Sequence, residues 1–329
     1  MQKRGKTAKG TQRWLCIGCT KSRSLGHETQ KQDRLLDRFV AWLLGKQSQT
    51  ELAVAEDITD RTWRTQTDWC WEIIPKPVLT GAVYSIILLD GIKVGSLVDL
   101  IARNTEAVIL WHWDGWESSN TWEVLLKQLP APIVVVCDGQ KGILLAIARC
   151  WPRTRIQRCI FHVWQNIRVK LTLNPQTEAG QELLRLSKEL LKGIPTKEQA
   201  LDWVHRLELW REHYESFIRE RTTIVDPQPR QRRWWYTHGR LRSAYYQLHK
   251  LVQDNQLFTY LDDELLEQTG QSIPRTTNYV EGGINSQIRA LLKYHRGMNQ
   301  THQQRLADWY LYGRTKDQKP PRNFRLLTN

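Results

Sequence analysis

The sequence predicts an α/β domain that follows a small helical domain and is interrupted by a long helical segment. Apolar, β-branched runs of strand length are concentrated between residues 82 and 161, and helical patterns alternate with the later ones. Residues 175–270 are rich in Leu, Trp, Glu and Lys at helical period. Helical patterns also precede the strands, up to the Pro-Lys-Pro at residues 75–77. A sheet covered by helices is the architecture that fits this order.

The composition indicates a nucleic-acid partner and excludes several classes of protein. Among the 329 residues, 48 Lys and Arg outnumber 34 Asp and Glu, and the resulting formal net charge of +14 favours a polyanion. No apolar run is long enough for a membrane span, and the basic N-terminus lacks the apolar stretch of a signal peptide. Six dispersed cysteines do not make a disulfide framework. We therefore expect a cytoplasmic protein without a membrane partner.

Residues 1–31 are predicted to form a basic arm. Cys16 and Cys19 have the spacing of one zinc knuckle, but a structural Zn²⁺ site needs four ligands and no second cysteine pair follows nearby. His27 is a third candidate ligand, and two free thiols in a flexible segment are the alternative. Zn²⁺ binding at this partial knuckle is thus an open expectation.

Residues 32–76 are predicted to form a helix-turn-helix DNA-binding domain. The apolar residues of DRLLDRFVAWLL fall on one helical stripe that Gly45 closes. Ser48 is predicted to cap a second helix, and a break near residues 58–59 separates it from a third. The polar face of the third helix is the predicted DNA-reading face, with Arg61, Arg64, Thr65 and Gln66. An ordinary three-helix packing unit is the alternative.

Residues 77–174 are predicted to form the first part of a catalytic core. Three runs, AVYSIILLD, IKVGSLVDLIARN and EAVILWHWDGW, predict an antiparallel meander. The following runs predict helix, strand, helix, strand and helix in turn: NTWEVLLKQL, APIVVVCDG, KGILLAIARCW, TRIQRCIF and HVWQNIRVKL. This order is that of the ribonuclease-H-like fold, in its retroviral-integrase-type form.

The core is predicted to resume after a helical insertion. Residues 175–270 are predicted as an all-helical insertion, residues 271–314 as the last part of the core, and residues 315–329 as a flexible tail. In RQRRWWYTHGRLRSAYY, residues 230–246, arginines interleave with aromatic residues, which suits contact with a DNA backbone and stacking on bases. An amphipathic helix with solvated arginines is the alternative. Further DNA contacts are predicted for Arg232, Arg233, Trp234 and Arg289.

Two apolar strands end in a carboxylate, Asp90 after VYSIILL and Asp138 after IVVVC. An acid at the end of a buried strand is costly unless it turns outward, pairs or binds a cation. Asp90-Gly91 is also a hairpin-turn signal, whereas a helix follows Asp138. If the first and fourth strands are neighbours, as this fold requires, the two aspartates meet at one end of the sheet. Asp99 and Asp114 are expected in surface or turn positions.

A third carboxylate, Glu281, stands at the start of a predicted helix beside Gly282 and Gly283. One hypothesis is a capping box, in which Glu281 accepts a hydrogen bond from the backbone N–H of Asn278. The other is that three carboxylates bind two Mg²⁺ ions, for which Mn²⁺ can substitute, and activate an oxygen nucleophile for phosphodiester chemistry. The glycines favour the second hypothesis because they leave room for a DNA backbone.

Four segments in this order, VYSIILLDG, VVVCDGQKG, RCIFHVWQN and TTNYVEGGINSQIRALLK, resemble the DDE transposases of bacterial insertion sequences in the Mutator-related superfamily. The WCW at residues 69–71, together with VEGGINSQIR, is similar to a tryptophan-rich subgroup. The resemblance extends from about residue 12 to residue 314. Within it, GTQRWLCIGC resembles the second knuckle of an N-terminal zinc ribbon whose first cysteine pair would precede Met1.

The resemblance implies that Asp90, Asp138 and Glu281 are catalytic and bind Mg²⁺, and that the enzyme cleaves DNA and joins 3′-OH ends to a target. It also implies a Cys-x-x-His signature, matched by Cys159 and His162, for which packing at the sheet edge is the alternative. The implied partners are double-stranded DNA, as element ends and target, and at least a second copy of the chain on that DNA. The implied location is the bacterial cytoplasm, at the nucleoid.

Two other functions compete with an active transposase. A catalytically silent DNA-binding protein descended from one is opposed by the intact carboxylates and favoured by the incomplete zinc ribbon. A ribonuclease-H-type nuclease without strand transfer is opposed by the predicted helix-turn-helix domain and by the long insertion.

Overall fold

Helices that accompany a mixed five-stranded sheet confirm the predicted α/β class. The computed structural model describes residues 2–8, 10–24, 27–223, 234–322 and 324. The chain forms two units: unit 1 is Met1–Val78, Val94–Ser96 and Ile284–Asn329, and unit 2 is Leu79–Lys93 and Leu97–Gly283. No helix within the described ranges is long and apolar enough to span a membrane.

Unit 1 begins with a small antiparallel sheet and three helices. The strands pair in chain order: β1 (Gln2–Lys6), β2 (Gln12–Leu15) and β3 (Ser22–Ser24). The helices are α1 (His27–Leu43), α2 (Gln49–Ala55) and α3 (Asp60–Thr67). Leu36, Phe39 and Leu43 of α1 are fully buried, as its apolar stripe predicts. The predicted Ser48 cap is confirmed and forms a capping box with Glu51.

The sheet of unit 2 combines a meander with two parallel strands. Its strands are β4 (Ile86–Val94), β5 (Leu97–Arg103), β6 (Val108–Asp114), β7 (Val134–Cys137) and β8 (Arg155–Arg158). The spatial order is β6-β5-β4-β7-β8, with β5 antiparallel to β6 and β7 parallel to both of its neighbours. Two helices, α4 (Ser119–Leu126) and α5 (Lys141–Cys150), share a buried core with Ile87 and Leu89 of β4.

Two predictions about the meander are wrong. The hairpin turn expected at Asp90-Gly91 does not form, because β4 continues to Val94, and Gly95 adopts the positive φ of 61° at the end of the strand instead. Asp99 is expected at a surface or turn position, but it is fully buried on β5, an inner strand of the sheet, so a layer of the fold covers the face to which it points. Asp114 ends β6, in keeping with its expected position before a turn.

A mostly helical segment follows the sheet. Its helices are α6 (Ile160–Leu171), α7 (Glu178–Lys192), α8 (Lys197–His213), α9 (Glu215–Arg219), α10 (Gly239–Gln253) and α11 (Asp263–Thr269). The predicted all-helical character is wrong, since β9 (Arg221–Thr223) and β10 (Trp234–Tyr236) form an antiparallel pair. The Arg221 guanidinium lies 4.1 Å from the Trp234 ring centre, a cross-strand contact that favours strands over a helix here.

The last helices belong to two different units. In unit 2, α12 (Asn278–Val280) leads into a π-helical turn that begins at Glu281. In unit 1, α13 (Ser286–Tyr294) and α14 (Gln300–Tyr312) complete the fold. There His302 stacks on Trp71 with ring centroids 3.8 Å apart, and Trp63 is buried, consistent with tryptophan as core packing.

Candidate active site

Asp90 and Asp138 lie side by side on neighbouring parallel strands. Leu89 of β4 is in register with Cys137 of β7, so the next residue on each chain segment is an aspartate. The predicted adjacency of the first and fourth strands is therefore confirmed. Asp90 is only 7% exposed, and one of its carboxylate oxygens accepts a hydrogen bond from the Gly91 N–H at 3.0 Å.

The backbone around Asp138 is held by hydrogen bonds. The Gln140 N–H donates to Asp138 Oδ1 at 3.0 Å, and the Arg158 guanidinium donates to the Asp138 carbonyl oxygen at 3.1 and 2.7 Å. Gly139 has a positive φ of 71°, and a Cβ there would overlap the Arg158 guanidinium. The glycine after Asp138 is thus required by the local fold.

Glu281 shares an electrostatic environment with these two aspartates. Burial raises the pKa of Asp90 to about 7, and the charges of Asp138 and Glu281 contribute to the rise, whereas His162 and a hydrogen bond from Gly91 oppose it. The charges of Asp138 and Glu281 thus both act on Asp90, although Glu281 is far from the aspartates in sequence.

Glu281 lies on an irregular helix. Its N–H donates to the Thr277 carbonyl at 3.0 Å, and a π-helical turn, a feature common at functional sites, starts at Glu281. The predicted capping box is wrong, because Thr277 occupies the cap position, no side chain caps the helix, and Asn278 lies within it. Glu281 Oε2 instead lies 3.8 Å from His162 Nε2.

The two glycines after Glu281 serve different needs. A Cβ on Gly282 would lie 2.6 Å from the Asn278 side-chain oxygen, so this glycine accommodates Asn278. A Cβ on Gly283 would have no atom within 4 Å. Packing against Asn278 therefore explains why residue 282 is a glycine. It does not explain the glycine at position 283, which faces open space.

Cys159 and His162 connect the start of α6 with the Glu281 segment. The buried Cys159 Sγ accepts hydrogen bonds from the Thr277 N–H at 3.2 Å and the Thr277 hydroxyl at 3.3 Å. Burial by itself raises the pKa of this thiol, but His162 and Thr277 outweigh that effect, so the pKa of Cys159 lies below its ordinary value. Burial also opposes protonation of His162, yet the thiol and two nearby carboxylates, those of Asp90 and Glu281, raise its pKa to about 9. Cys159 thus packs inside the fold, while a protonated His162 faces the acids.

A fourth carboxylate, Glu117, belongs to this environment and was missed by the sequence reasoning. It lies between β6 and α4, where Trp122 Nε1 donates to its Oε1 at 3.1 Å. Burial raises the pKa of Glu117, the charge of Asp138 adds to this, and His162 opposes it. A topological signal could have found Glu117: two successive hairpins make β6 run in the same direction as β4, so both strands point toward the same edge of the sheet.

The sequence predicts metal binding at two places, the three acids and the N-terminal knuckle. Within the described part of the chain, no three His, Cys, Asp or Glu side chains stand together as a metal-binding group. At the N-terminal knuckle, Cys19 is exposed and Cys16 half-buried, and hydrogen bonds from Cys19 and Gly18 lower the pKa of Cys16. The side chain of His27, the third candidate zinc ligand, lies outside the described residues.

The predicted DNA contacts are distributed over both units. Five of them are exposed in unit 1: Arg61, Arg64, Thr65 and Gln66 on α3, and Arg289 on α13. In unit 2, Trp234 is 37% exposed on β10. Arg232 and Arg233 lie outside the described residues.

Known proteins match the segment that contains much of this site. The family model described as "Transposase, Mutator family" matches residues 104–226, which include Glu117, Asp138, Cys159 and His162. A Corynebacterium diphtheriae protein described as "Probable transposase for insertion sequence element" is 22% identical over 181 residues, or 52% of this chain and 48% of that protein. The match thus spans about half the length of this relative. Over this segment the chain is thus similar to Mutator-family transposases and to a probable transposase of an insertion sequence.

Proposed function

We propose that this protein is a DDE transposase that binds the terminal inverted repeats of its insertion sequence, cleaves DNA strands there and transfers 3′-OH ends to target DNA. The observation that carries the proposal is the electrostatic cluster of Asp90, Asp138 and Glu281 at the edge of the unit 2 sheet. The similarity to Mutator-family transposases and the formal net charge of +14 support a DNA substrate.

The donor set suits Mg²⁺, with Mn²⁺ as a substitute, because all three acids offer hard carboxylate oxygens. Asp90, Asp138 and Glu281 would hold two such ions, which supply activation of the attacking oxygen and stabilisation of the leaving one. The mutual repulsion of these acids favours a divalent cation between them, and the protonated His162 offsets only part of their charge. Cys16 and Cys19 alone are too few ligands for Zn²⁺, so a zinc site there would need further ligands.

A ribonuclease-H-like core of the retroviral-integrase type is part of the proposal. The strand order β6-β5-β4-β7-β8, a meander extended by parallel strands, supports it because that order sets two aspartates side by side. In this scheme residues 77–174 and 271–314 form the core, and residues 175–270 form the insertion.

Recognition of the element ends is assigned to residues 32–76 and assisted by the basic arm, residues 1–31. The short break between α2 and α3 and the exposed polar side chains of α3 support a helix-turn-helix domain with α3 as its recognition helix. Binding through phosphates should weaken steeply with salt. Because two element ends must be held together, the active form is proposed to be a homodimer or larger assembly on DNA in the bacterial nucleoid.

The test is cleavage of a plasmid that carries the element's inverted repeats, with Mg²⁺, by the full chain and by Asp138→Asn. We expect cleavage to fall on the order of a thousandfold, because the variant loses a charge at the reacting centre. End binding should persist, because the amide oxygen can still accept from the Gln140 N–H. The matched control is Asp202→Asn, which removes a surface aspartate paired with Arg206.

Undiminished cleavage by Asp138→Asn would contradict the proposal. A wild-type chain that binds the ends but cuts nothing in Mg²⁺ or Mn²⁺ would favour the catalytically silent DNA-binding protein instead.

A further inference from the structure

Arg103, the last residue of β5, is buried, and its guanidinium binds three backbone carbonyl oxygens. Nε donates to the Asn104 carbonyl at 2.7 Å, and Nη2 donates to the Thr105 carbonyl at 3.1 Å. Nη1 donates to the Tyr279 carbonyl at 2.7 Å. Two nitrogens of the guanidinium are therefore fixed to the connection after β5, and the third holds a residue 176 positions further along the chain.

The connection between β5 and β6 gives this guanidinium a firm support. Asn104 Oδ1 accepts hydrogen bonds from the N–H groups of Glu106 and Ala107 at 2.9 and 2.7 Å. The Asn104 N–H donates to the Ala107 carbonyl at 3.0 Å. A side-chain oxygen bonded to N–H groups that follow it closely in sequence stabilises a turn. The position of the Arg103 guanidinium is thus set by hydrogen bonds within its own part of the chain.

The segment that carries Glu281 needs support from outside. Its helix α12 has three residues, and the π-helical turn begins directly after it. So short a helix is marginal by itself. The segment is held at Thr277 by hydrogen bonds to the Cys159 sulfur. It is held at the Tyr279 carbonyl by Arg103, and this second contact is the closer of the two to Glu281 along the chain.

The residue type fits a bridge between two separate segments. A guanidinium has five N–H donors in one plane, whereas the ammonium group of lysine is a single point with three donors. Hydrogen bonds from a charged donor are short and strong, and the bond to the Tyr279 carbonyl is of this kind. The Tyr279 ring, whose centre lies 5.5 Å from the guanidinium carbon, adds a cation–π contact. The bridge therefore restrains the backbone beside Glu281 in both distance and direction.

We propose that Arg103 is the positioning residue of Glu281: it holds the backbone two residues before this acid, so that the carboxylate can share a divalent cation with the two aspartates. This inference rests on the proposed function and deepens it. Arg103 acts through the Tyr279 carbonyl and not by contact with the cation or DNA. Its position matters because Mg²⁺ requires nearly ideal octahedral coordination, and a shift of about 1 Å in a catalytic group slows a reaction about a hundredfold.

The experiment compares the loss of this bridge with the loss of a buried hydrogen bond elsewhere in unit 2. Arg103→Lys keeps the charge but cannot donate to all three carbonyls at once. Thr259→Val is the matched control, because the buried Thr259 hydroxyl donates to the Ile156 carbonyl at 2.7 Å and so also joins two distant segments. For each full-length protein, cleavage of the inverted-repeat plasmid is measured against Mg²⁺ concentration, together with the affinity for element-end DNA and the urea midpoint.

We expect Arg103→Lys to lower the cleavage rate at saturating DNA and Mg²⁺ about a hundredfold and to raise the half-saturating Mg²⁺ concentration about tenfold. Its affinity for the element ends should stay within about twofold of wild type, since only the reacting geometry is disturbed. Thr259→Val should lower the urea midpoint but keep both cleavage parameters within about twofold of wild type. A residue that only stabilises the fold would not change the Mg²⁺ requirement of the folded protein.

A folded Arg103→Lys whose cleavage rate and Mg²⁺ requirement both stay within about threefold of those of Thr259→Val would overturn the inference. A loss of cleavage that weaker end binding explains fully would overturn it as well. If Arg103→Lys fails to fold, Asn104→Ala carries the test, because it keeps Arg103 and removes the oxygen that shapes its support. Asn104→Ala must then slow cleavage at least about threefold, and a smaller effect would contradict the positioning role.

Glu281→Gln, assayed in parallel, separates this failure from failure of the proposed function. If Glu281→Gln loses cleavage while Arg103→Lys matches wild type, only the role of Arg103 is wrong. If Glu281→Gln also cleaves like wild type, the proposed function itself fails.

Discussion

Unit 1 and unit 2 both bury charged side chains, but they balance those charges differently. In unit 1, Arg305 and Asp308 form a 2.7 Å ion pair with side chains only 8% and 3% exposed, and the Arg305 guanidinium also donates to the Trp71 carbonyl at 2.9 Å. In unit 2, the charges of Asp138 and Glu281 act on Asp90, and the protonated imidazole of His162 opposes them. The charge of Asp138 also acts on Glu117. A buried charge with a close opposite partner holds the fold together, whereas an excess of one sign is a liability unless a ligand uses it. The contrast supports the proposal that the carboxylates serve function and that the pair serves stability.

The largest effect should come from breaking the balanced pair. Asp308→Ala leaves the Arg305 charge buried without its aspartate, and we expect the free energy of unfolding to fall by about 3–5 kcal/mol. Urea denaturation followed by circular dichroism measures the change. The control, Asp202→Ala, breaks an exposed pair with Arg206 and should change it by less than about 1 kcal/mol. Equal effects of the two variants would show that burial of the pair does not matter.

Among the carboxylates of unit 2, we expect a substitution to raise the free energy of unfolding instead of lowering it. Asp90→Asn removes one of several mutually repelling charges and keeps an oxygen for the Gly91 N–H, so the cation-free protein should gain about 1–2 kcal/mol of stability. Cleavage should be lost in the same variant. Urea denaturation at pH 8 with a chelator gives the stability. A destabilised Asp90→Asn would mean that the acids are balanced within the fold after all.

Two histidines, the buried His295 and the half-buried His162, extend the comparison to the effect of pH on stability. Burial lowers the pKa of His295 in unit 1, whose Nε2 lies 3.2 Å from the Gly45 carbonyl oxygen. Its stabilising contribution is therefore complete above pH 6.5 and is lost as the pH falls through its lowered pKa. His162 in unit 2 has a pKa raised to about 9, so its contribution is complete below pH 6.5 and is lost as the pH rises through about 9.

The measurement is the urea midpoint between pH 5 and pH 9 for wild type, His295→Gln and His162→Gln. The difference between wild type and His295→Gln should shrink toward pH 5, and the difference between wild type and His162→Gln should shrink toward pH 9. Glutamine can still donate to the Gly45 carbonyl, so the first comparison isolates the charge. Parallel curves for all three proteins would contradict both shifts.

The smallest effects are expected at the two glycines beside Glu281. Gly283→Ala enters open space and should change stability by less than about 0.5 kcal/mol, whereas Gly282→Ala must displace the Asn278 side chain and should cost about 1 kcal/mol. If DNA approaches the site past residue 283, Gly283→Ala should nevertheless slow cleavage more than Gly282→Ala does. Cleavage rates and urea midpoints of the two variants decide the point, and a larger loss of stability in Gly283→Ala would contradict the open space.

Local patterns in the sequence determined the α/β class, the apolar stripe of α1, the Ser48 cap, the strand that contains Asp90 and the strand that precedes Asp138. These features depend on side-chain period and on hydrogen bonds between residues a few positions apart, so one segment carries all the information needed. The adjacency of the two aspartates followed because the strand order restricts which strands can be neighbours.

Tertiary structure alone brought Glu117 and His162 into the environment of these acids, whereas Glu281 is predicted from its own motif. Glu117, His162 and Glu281 come from separate segments, and their shared electrostatic environment exists only after the sheet, α6 and the Glu281 turn have packed together. The same holds for the burial of Asp99, which depends on what covers the face of the sheet, and for the pairing of β9 with β10, which lie apart along the chain. Burial and charge repulsion depend on neighbours that are remote in sequence, and a linear pattern does not contain those distances.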